Sequence, residues 1–396
     1  MAKIFCSSDS IVVAADTTLF VFQYAITDAN LHIELTRTVD VDIKLTTVPD
    51  SEVVEDDDEN AAEAVNSLNE KKQKLPEAEK QVLDGHFSAD GMLFAVVTSM
   101  KTCVVYDTTR SWELKCAPFR LPKAPTSVVF DSTSTWVIVG DRAGSVIRYG
   151  LEASEKKEEA VDGKRGELLL GHVSMVLDIA ISPCDRYIAS SDRDEKIRIS
   201  RYPQTFVIHR FCLGHESYVN CVTFVKNLLF SSGGDGTVRV WHTDDGSLTA
   251  VCNFFVNCRI RVTRILPSGE DIFTIIVLCE ESDFIDIVRF DYTQKTFIKS
   301  VTLAAAERVT DVDFLPQSRS FVVLTRGGFY FGFVEENPQM KAVANFASEV
   351  KTLLKSAKEI SLSLEKRIGF NNVEEYHQRK NERILKRKRP LESPIN

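Results

Sequence analysis

The sequence predicts an all-β fold, a seven-bladed β-propeller with a C-terminal helical, basic extension. Three observations lead there. Two segments repeat each other at a period near 42 residues. Seven positions along the chain close a run of alternating apolar residues in the same way. After Pro338 the apolar period changes from two to three or four.

The repeat is clearest between residues 171–200, GHVSMVLDIAISPCDRYIASSDRDEKIRIS, and 214–241, GHESYVNCVTFVKNLLFSSGGDGTVRVW. Gly-His opens both. His172 and His215 lie 43 apart and Asp194 and Asp235 lie 41 apart, because the second copy has the shorter hairpin, VKNL against SPCDRY. That period is the one of a WD-repeat blade, a four-stranded unit that cannot bury its faces alone and must stack on its neighbours.

Trp241 ends the third strand of its blade. Equivalent positions are Phe22, Tyr106, Tyr149, Phe290 and Phe331, and Ser200 occupies the place in the copy that begins at His172. Successive spacings from Tyr106 onward are 43, 51, 41, 49 and 41; the interval from Phe22 to Tyr106 is 84. The long interval holds an acidic stretch at about 49–80, read as a disordered insertion, and the 51-residue spacing holds the charged loop at about 152–166. Elsewhere short runs such as SIVVAA, TSVVF and FVVLT alternate with Ser/Asp/Gly turns. A pair of β-sandwiches would share this habit but has no reason to repeat every 42 residues. The propeller is expected over 1–339. The outer strand of its last blade is not readable, 340–346 being one candidate. Over 340–396 the stripe Phe346, Val350, Leu353, Ala357, Ile360, Leu364 predicts one helix, Gly369 a break, and 372–388 a second, polar helix.

Composition excludes several classes. The longest apolar run, Ile272–Cys279, interrupted only by Thr274, falls well short of the roughly 20 residues of a membrane-spanning helix, so no membrane contact is expected. No signal-like segment opens the chain and no Asn-x-Ser/Thr acceptor occurs. Nine cysteines without a Cys-x-x-Cys pair argue against a disulfide framework or a zinc site, and they are expected as reduced thiols. No metal site is expected. The net charge of −9 is unevenly spread: DSEVVEDDDE at 50–59 is acidic, while 379–389 carries Arg379, Lys380, Arg383, Lys386, Arg387, Lys388 and Arg389 against Glu382 alone.

Phosphate-binding, nucleophile-elbow, zinc-protease and dinucleotide motifs are all missing. His172 with Ser190 and Asp194, and His215 with Ser231, Asp235 and Trp241, invite a catalytic Ser-His-Asp reading. Their recurrence at the repeat period makes them hydrogen-bonded braces instead. No catalytic residue is predicted. The densest charged run inside the propeller is Asp192 to Arg198. In a strand Lys196 and Arg198 lie on one side and Ile197 and Ile199 on the other. From position alone it reads either as a solvated turn, which the recurrence of Arg198 as Arg239 favours, or as a polar patch for another protein.

The stretch LLLGHVSMVLDIAISPCDRYIASSDRDEKIRIS, followed by FCLGHESYV and SGGDGTVRVW, resembles the WD-repeat, non-catalytic subunit of tRNA (guanine-N7-)-methyltransferase, chiefly over 168–242. The resemblance implies a scaffold that does no chemistry and binds a separate catalytic subunit as a heterodimer. That partner would bind S-adenosylmethionine, with no cofactor in this chain, and would form N7-methylguanosine in the variable loop of tRNA. It implies docking through Arg193, Asp194, Glu195, Lys196 and Arg198, with Arg198 foremost. Ser200 in place of Trp is compatible with that family. The C-terminal basic cluster then reads as a nuclear-localisation signal, a tRNA-backbone contact or a solubilising tail. The expected location is the nucleus, with the cytoplasm as a second compartment. The alternative is a general WD-repeat adaptor, a ubiquitin-ligase or chromatin scaffold whose top face grips peptides.

Overall fold

The computed structural model describes residues 2–27, 30–41, 80–151, 166–253, 258–267, 269–316, 318–335, 337–343, 348–357 and 364. The acidic insertion, nearly all of the 152–166 loop, the 372–388 helix and the basic cluster fall outside them. Seven antiparallel sheets form in chain order, six of four strands and one of five. The blades span residues 3–40, 82–120, 125–171, 176–212, 219–252, 260–304 and 309–342. Phe22, Tyr106, Tyr149, Ser200, Trp241, Phe290 and Phe331 all lie on third strands and are all buried.

Second strands such as Ser10–Ala15, Leu93–Thr98 and Ser320–Thr325 are buried at every position. Both of their faces meet a neighbouring blade, which is why these runs show no polar alternation. Inner strands have no ladder partner on the side facing the ring axis, so carboxylates take their amides across the seams. Asp84 accepts from Val128 N at 3.1 Å, Asp178 from Val222 N at 2.9 Å, and Asp311 and Asp313 from Ile4 N and Cys6 N at 3.0 and 2.9 Å. Around the axis, residues of all seven blades enclose a cavity of about 760 Å³.

The ring closes without exchange of strands. The first blade is built wholly from the N-terminal segment, and the last takes its outer strand from Met340–Ala342. The propeller therefore runs past the boundary expected at 339. The helix Ser348–Ser356 covers the closing seam. Val350, Leu354 and Ala357 are buried, and Val350 and Leu354 join a core shared by the first and last blades. The predicted stripe is thus corrected at one place: Leu353 is 40% exposed and Leu354 2%. A second correction concerns the thiols. Cys258 and Cys279, whose Cα atoms lie 6.1 Å apart beside the pairing of Ile260 with Cys279, form a disulfide, and the other seven remain thiols. The chain separates into two units, 1–361 and 362–396, and only Leu364 of the second is described.

Candidate functional site

In blade 5 the imidazole of His215 donates from Nδ1 to Asp235 Oδ2 at 2.7 Å and meets Ser231 Oγ at Nε2, also at 2.7 Å. Trp241 Nε1 donates to the same Ser231 Oγ at 2.8 Å. The order of groups is that of a nucleophilic triad, but Ser231 is buried and its oxygen is occupied by an indole donor. No acyl group can reach it. Burial alone would raise Asp235, yet the His215 contact and the Glu216 and Thr237 amides outweigh it and hold this carboxyl at about 2. The assembly is a brace, locking the strand order of its blade.

Blade 4 departs from that pattern. His172 Nε2 meets Ser190 Oγ at 2.7 Å, but Nδ1 meets Asp192 Oδ2 at 3.0 Å, not Asp194. Asp192 also accepts the amides of Asp194 and Lys196 at 2.9 and 3.0 Å. Blade 3 shows the same arrangement, Asp141 accepting from Ala143 and Ser145. The braced carboxylate has therefore moved two residues toward the strand, and Asp194 is released from that duty. Arg193 Nε lies 3.9 Å from its carboxylate.

With Ser200 where blade 5 has an indole, the volume is filled from elsewhere. The segment after the third strand, Tyr202 to Thr205, folds back toward blade 3, and the Thr205 hydroxyl donates to Leu169 O. Tyr202 joins the core shared with Leu169 and Leu170. Arg198 ties the arrangement together, donating from Nε to Ser200 Oγ at 2.7 Å, from one terminal nitrogen to Thr205 O at 2.8 Å and from the other to Gly171 O at 3.3 Å. Its repeat equivalent Arg239 does something else, pairing with Asp235 at 3.5 Å and Thr237 at 3.0 Å. Desolvation lowers the Arg198 pKa, and a guanidinium holding three oxygens stays charged.

The turn itself is Arg193, Asp194, Glu195, Lys196. Lys196 is exposed and the other three are half-buried. Glu195 adopts φ 71°, in the left-handed region, where the corresponding turns of blades 3 and 5 have Gly144 at φ 96° and Gly236 at φ 70°. A side chain there costs about 1–2 kcal/mol relative to an unstrained residue. Blade 2 bears the same cost, with Lys101 at φ 60° in the equivalent turn. The seven C-terminal basic residues, Arg379 to Arg389, lie outside the described residues.

A family model described as the tRNA methyltransferase TRM82 WD40 domain matches residues 150–326. The Caenorhabditis elegans tRNA (guanine-N(7)-)-methyltransferase non-catalytic subunit is 30% identical over 289 residues, 70% of this chain and 68% of that protein. This chain belongs to that family. The Danio rerio member is 29% identical over 325 residues, covering 75% of this chain and 76% of its own length. The Candida glabrata member is 35% identical over 181 residues, 42% of each. Among solved structures, a chain of a mitotic checkpoint complex superposes with a TM-score of 0.51 at 15% identity, over 66% of this chain and 75% of its own, a likeness of fold alone. The span matched as this family's WD40 domain includes the whole of blade 4 with its charged turn.

The axial cavity offers no rival site. Asp84, Asp178 and Asp313 line it, but each already accepts a seam amide. Among the described residues no cluster of His, Cys, Asp and Glu is arranged to hold a metal ion. Sequence reading missed Asp192, Tyr202 and Thr205. The first was findable from Asp141-Arg142 in blade 3, which aligns with Asp192-Arg193. The other two act through a fold-back that no periodicity encodes.

Proposed function

We propose that this chain is the scaffold subunit of a tRNA (guanine-N7-)-methyltransferase. It holds a separate catalytic subunit in active form and performs no chemistry itself. One observation carries the reading beyond family membership: the blade 4 turn gathers Arg193, Asp194, Glu195 and Lys196 at one tip, within the span matched as this family's WD40 domain, and Asp192 has taken over the histidine brace that Asp235 serves in blade 5. Asp194, freed from the histidine brace, and Glu195 supply acceptors, and Arg193 and Lys196 add donors. Such a mixed-charge tip suits docking by complementary charge, which fixes register and speeds encounter. The partner would bind S-adenosylmethionine and methylate N7 of a guanine in the tRNA variable loop.

The basic residues 379–389 would contact the tRNA backbone through the complex and direct the protein to the nucleus. A general adaptor role is less well supported, because the relatives that match this chain are named as non-catalytic subunits of tRNA (guanine-N(7)-)-methyltransferase. The test is reconstitution. Catalytic subunit alone, and with this chain, is assayed for methyl transfer to guanine N7 of tRNA. Activity should need the chain, and Glu195→Lys should abolish the gain. Equal activity with and without the chain would refute the scaffold role.

A further inference from the structure

We propose that the partner-binding surface has an apolar core formed by Leu168, Phe206 and Phe211 at the outer edges of blades 3 and 4, and that Arg198 is a positioning residue beside it rather than a contact. The inference rests on the reading that this chain binds a methyltransferase subunit.

Seven of the twelve exposed large apolar side chains among the described residues fall between 168 and 213, so solvated apolar surface is concentrated at one seam. Phe206 is 81% exposed, Leu168 64% and Phe211 46%. Singly such residues mean nothing; these three are joined by the hydrogen bonds already described. Thr205, which precedes Phe206, is tied to Leu169, which follows Leu168. Arg198 grips Thr205 O, and Phe211 stands directly opposite Arg198 in the strand register. Thus the guanidinium is bordered by all three segments. Its donors to Ser200, Thr205 and Gly171 hold the fold-back that presents Phe206. An Arg consumed in this way has little left to offer a partner carboxylate.

The occupant is the catalytic subunit, on grounds of continuity. The strand Ile197–Arg201 leaves the charged turn directly, so Asp194 and Glu195 adjoin the apolar core as part of its rim. An apolar centre with a charged rim is the anatomy of a specific protein interface, with aromatic side chains as its energetic anchors. The complementary face would carry an apolar ridge flanked by cationic groups.

The test measures affinity of the catalytic subunit for the full chain by calorimetry, with thermal unfolding of each variant as a control. Phe206→Ser and Leu168→Ser should unfold as the wild type does, and Phe206→Ser should bind at least tenfold more weakly. Arg198→Ala should also weaken binding, and Arg198→Lys should not restore it, because an ammonium cannot span three oxygens. In a Phe206→Ser background, Arg198→Ala should add less than twofold, since both act through the same loop. Wild-type affinity in both serine variants overturns the apolar core, and undiminished Arg198 effects in the double variant overturn the positioning role. Self-association of the chain that Phe206→Ser abolishes would assign the patch to a second copy and overturn the proposal. If the wild-type chain binds no catalytic subunit, the functional reading fails and the proposal with it.

Discussion

The closing seam of the ring gives the sharpest prediction about stability. Propeller ends must be joined, and here no strand crosses between the first and last blades, so side chains carry the joint. Two carboxylates of the last blade take the Ile4 and Cys6 amides, and Leu354 of the C-terminal helix enters the core that both blades share. Leu354→Ala removes a side chain that is 2% exposed. Lost transfer energy and the cavity left behind together cost about 2–5 kcal/mol. At this chain length each kcal/mol moves the midpoint by a little over about 1 °C, so a fall of about 2–6 °C is expected. Leu353→Ala, on the neighbouring 40% exposed position, should stay within about 0.5 kcal/mol. Thermal unfolding compares the two, and hydrogen exchange locates the effect: amides of Ile4 and Cys6 should lose protection in Leu354→Ala. Equal destabilisation by both substitutions, or unchanged protection at those amides, would refute the idea that this helix is the clasp of the ring.

Three further outcomes are expected. Glu195→Gly should stabilise the chain by roughly 0.5–1 kcal/mol, since glycine meets φ 71° without strain, while weakening attachment of the catalytic subunit; a destabilised variant would remove the strain argument. Burial pushes Asp178 and Asp313 up to about 6, against an unfolded value near 3.9. A carboxyl raised on folding contributes stability that is fully present below the unfolded value and lost as pH rises through the folded one, so the unfolding free energy should fall between about pH 4 and 7, by roughly 2 kcal/mol per group, and Asp178→Asn should flatten the slope. Deleting 378–396 should weaken tRNA binding by the complex and lower its salt dependence, as fewer phosphates are neutralised, with attachment of the catalytic subunit unchanged; identical affinities at two salt concentrations would leave the tail with localisation only.

The ring was legible because a blade is a repeated unit whose second strand is apolar throughout and whose third strand ends in a buried aromatic, and both habits survive in the divergent first and last blades as SIVVAA with Phe22 and FVVLT with Phe331. The charged turn was legible as a run of residue types. Its internal wiring was not, because aligning the two strong repeats by their Gly-His openings and final strands sets Asp194 against Asp235. Only the geometry reveals that Asp192 reaches His172. Leu353 and Leu354 are both apolar and both fit a helical stripe from Val350 to Ala357, so periodicity cannot choose between them. The Cys258–Cys279 pair depends on two strands meeting side by side, which a 21-residue separation does not announce.

Blade 4 breaks the repeat rules at three places, and the breaks fall on one seam. Serine replaces the bracing tryptophan at 200, glutamate stands at 195 where blades 3 and 5 have glycine, and the histidine's carboxylate shifts from the place of Asp194 to that of Asp192. Each alone would read as drift. Together they have a common result: the missing indole leaves room for the Tyr202–Thr205 fold-back, the fold-back consumes Arg198 and turns Phe206 outward, and the shifted carboxylate frees Asp194 beside a strained Glu195. Blade 5, which keeps Trp241, Gly236 and Asp235, has none of these consequences, and its Arg239 stays locked on Asp235. Local rules in a folded protein are broken where function needs it, with compensation nearby. The compensation here is visible as the three hydrogen bonds of Arg198, and the exposed phenyl ring of Phe206 is what a partner would have to cover.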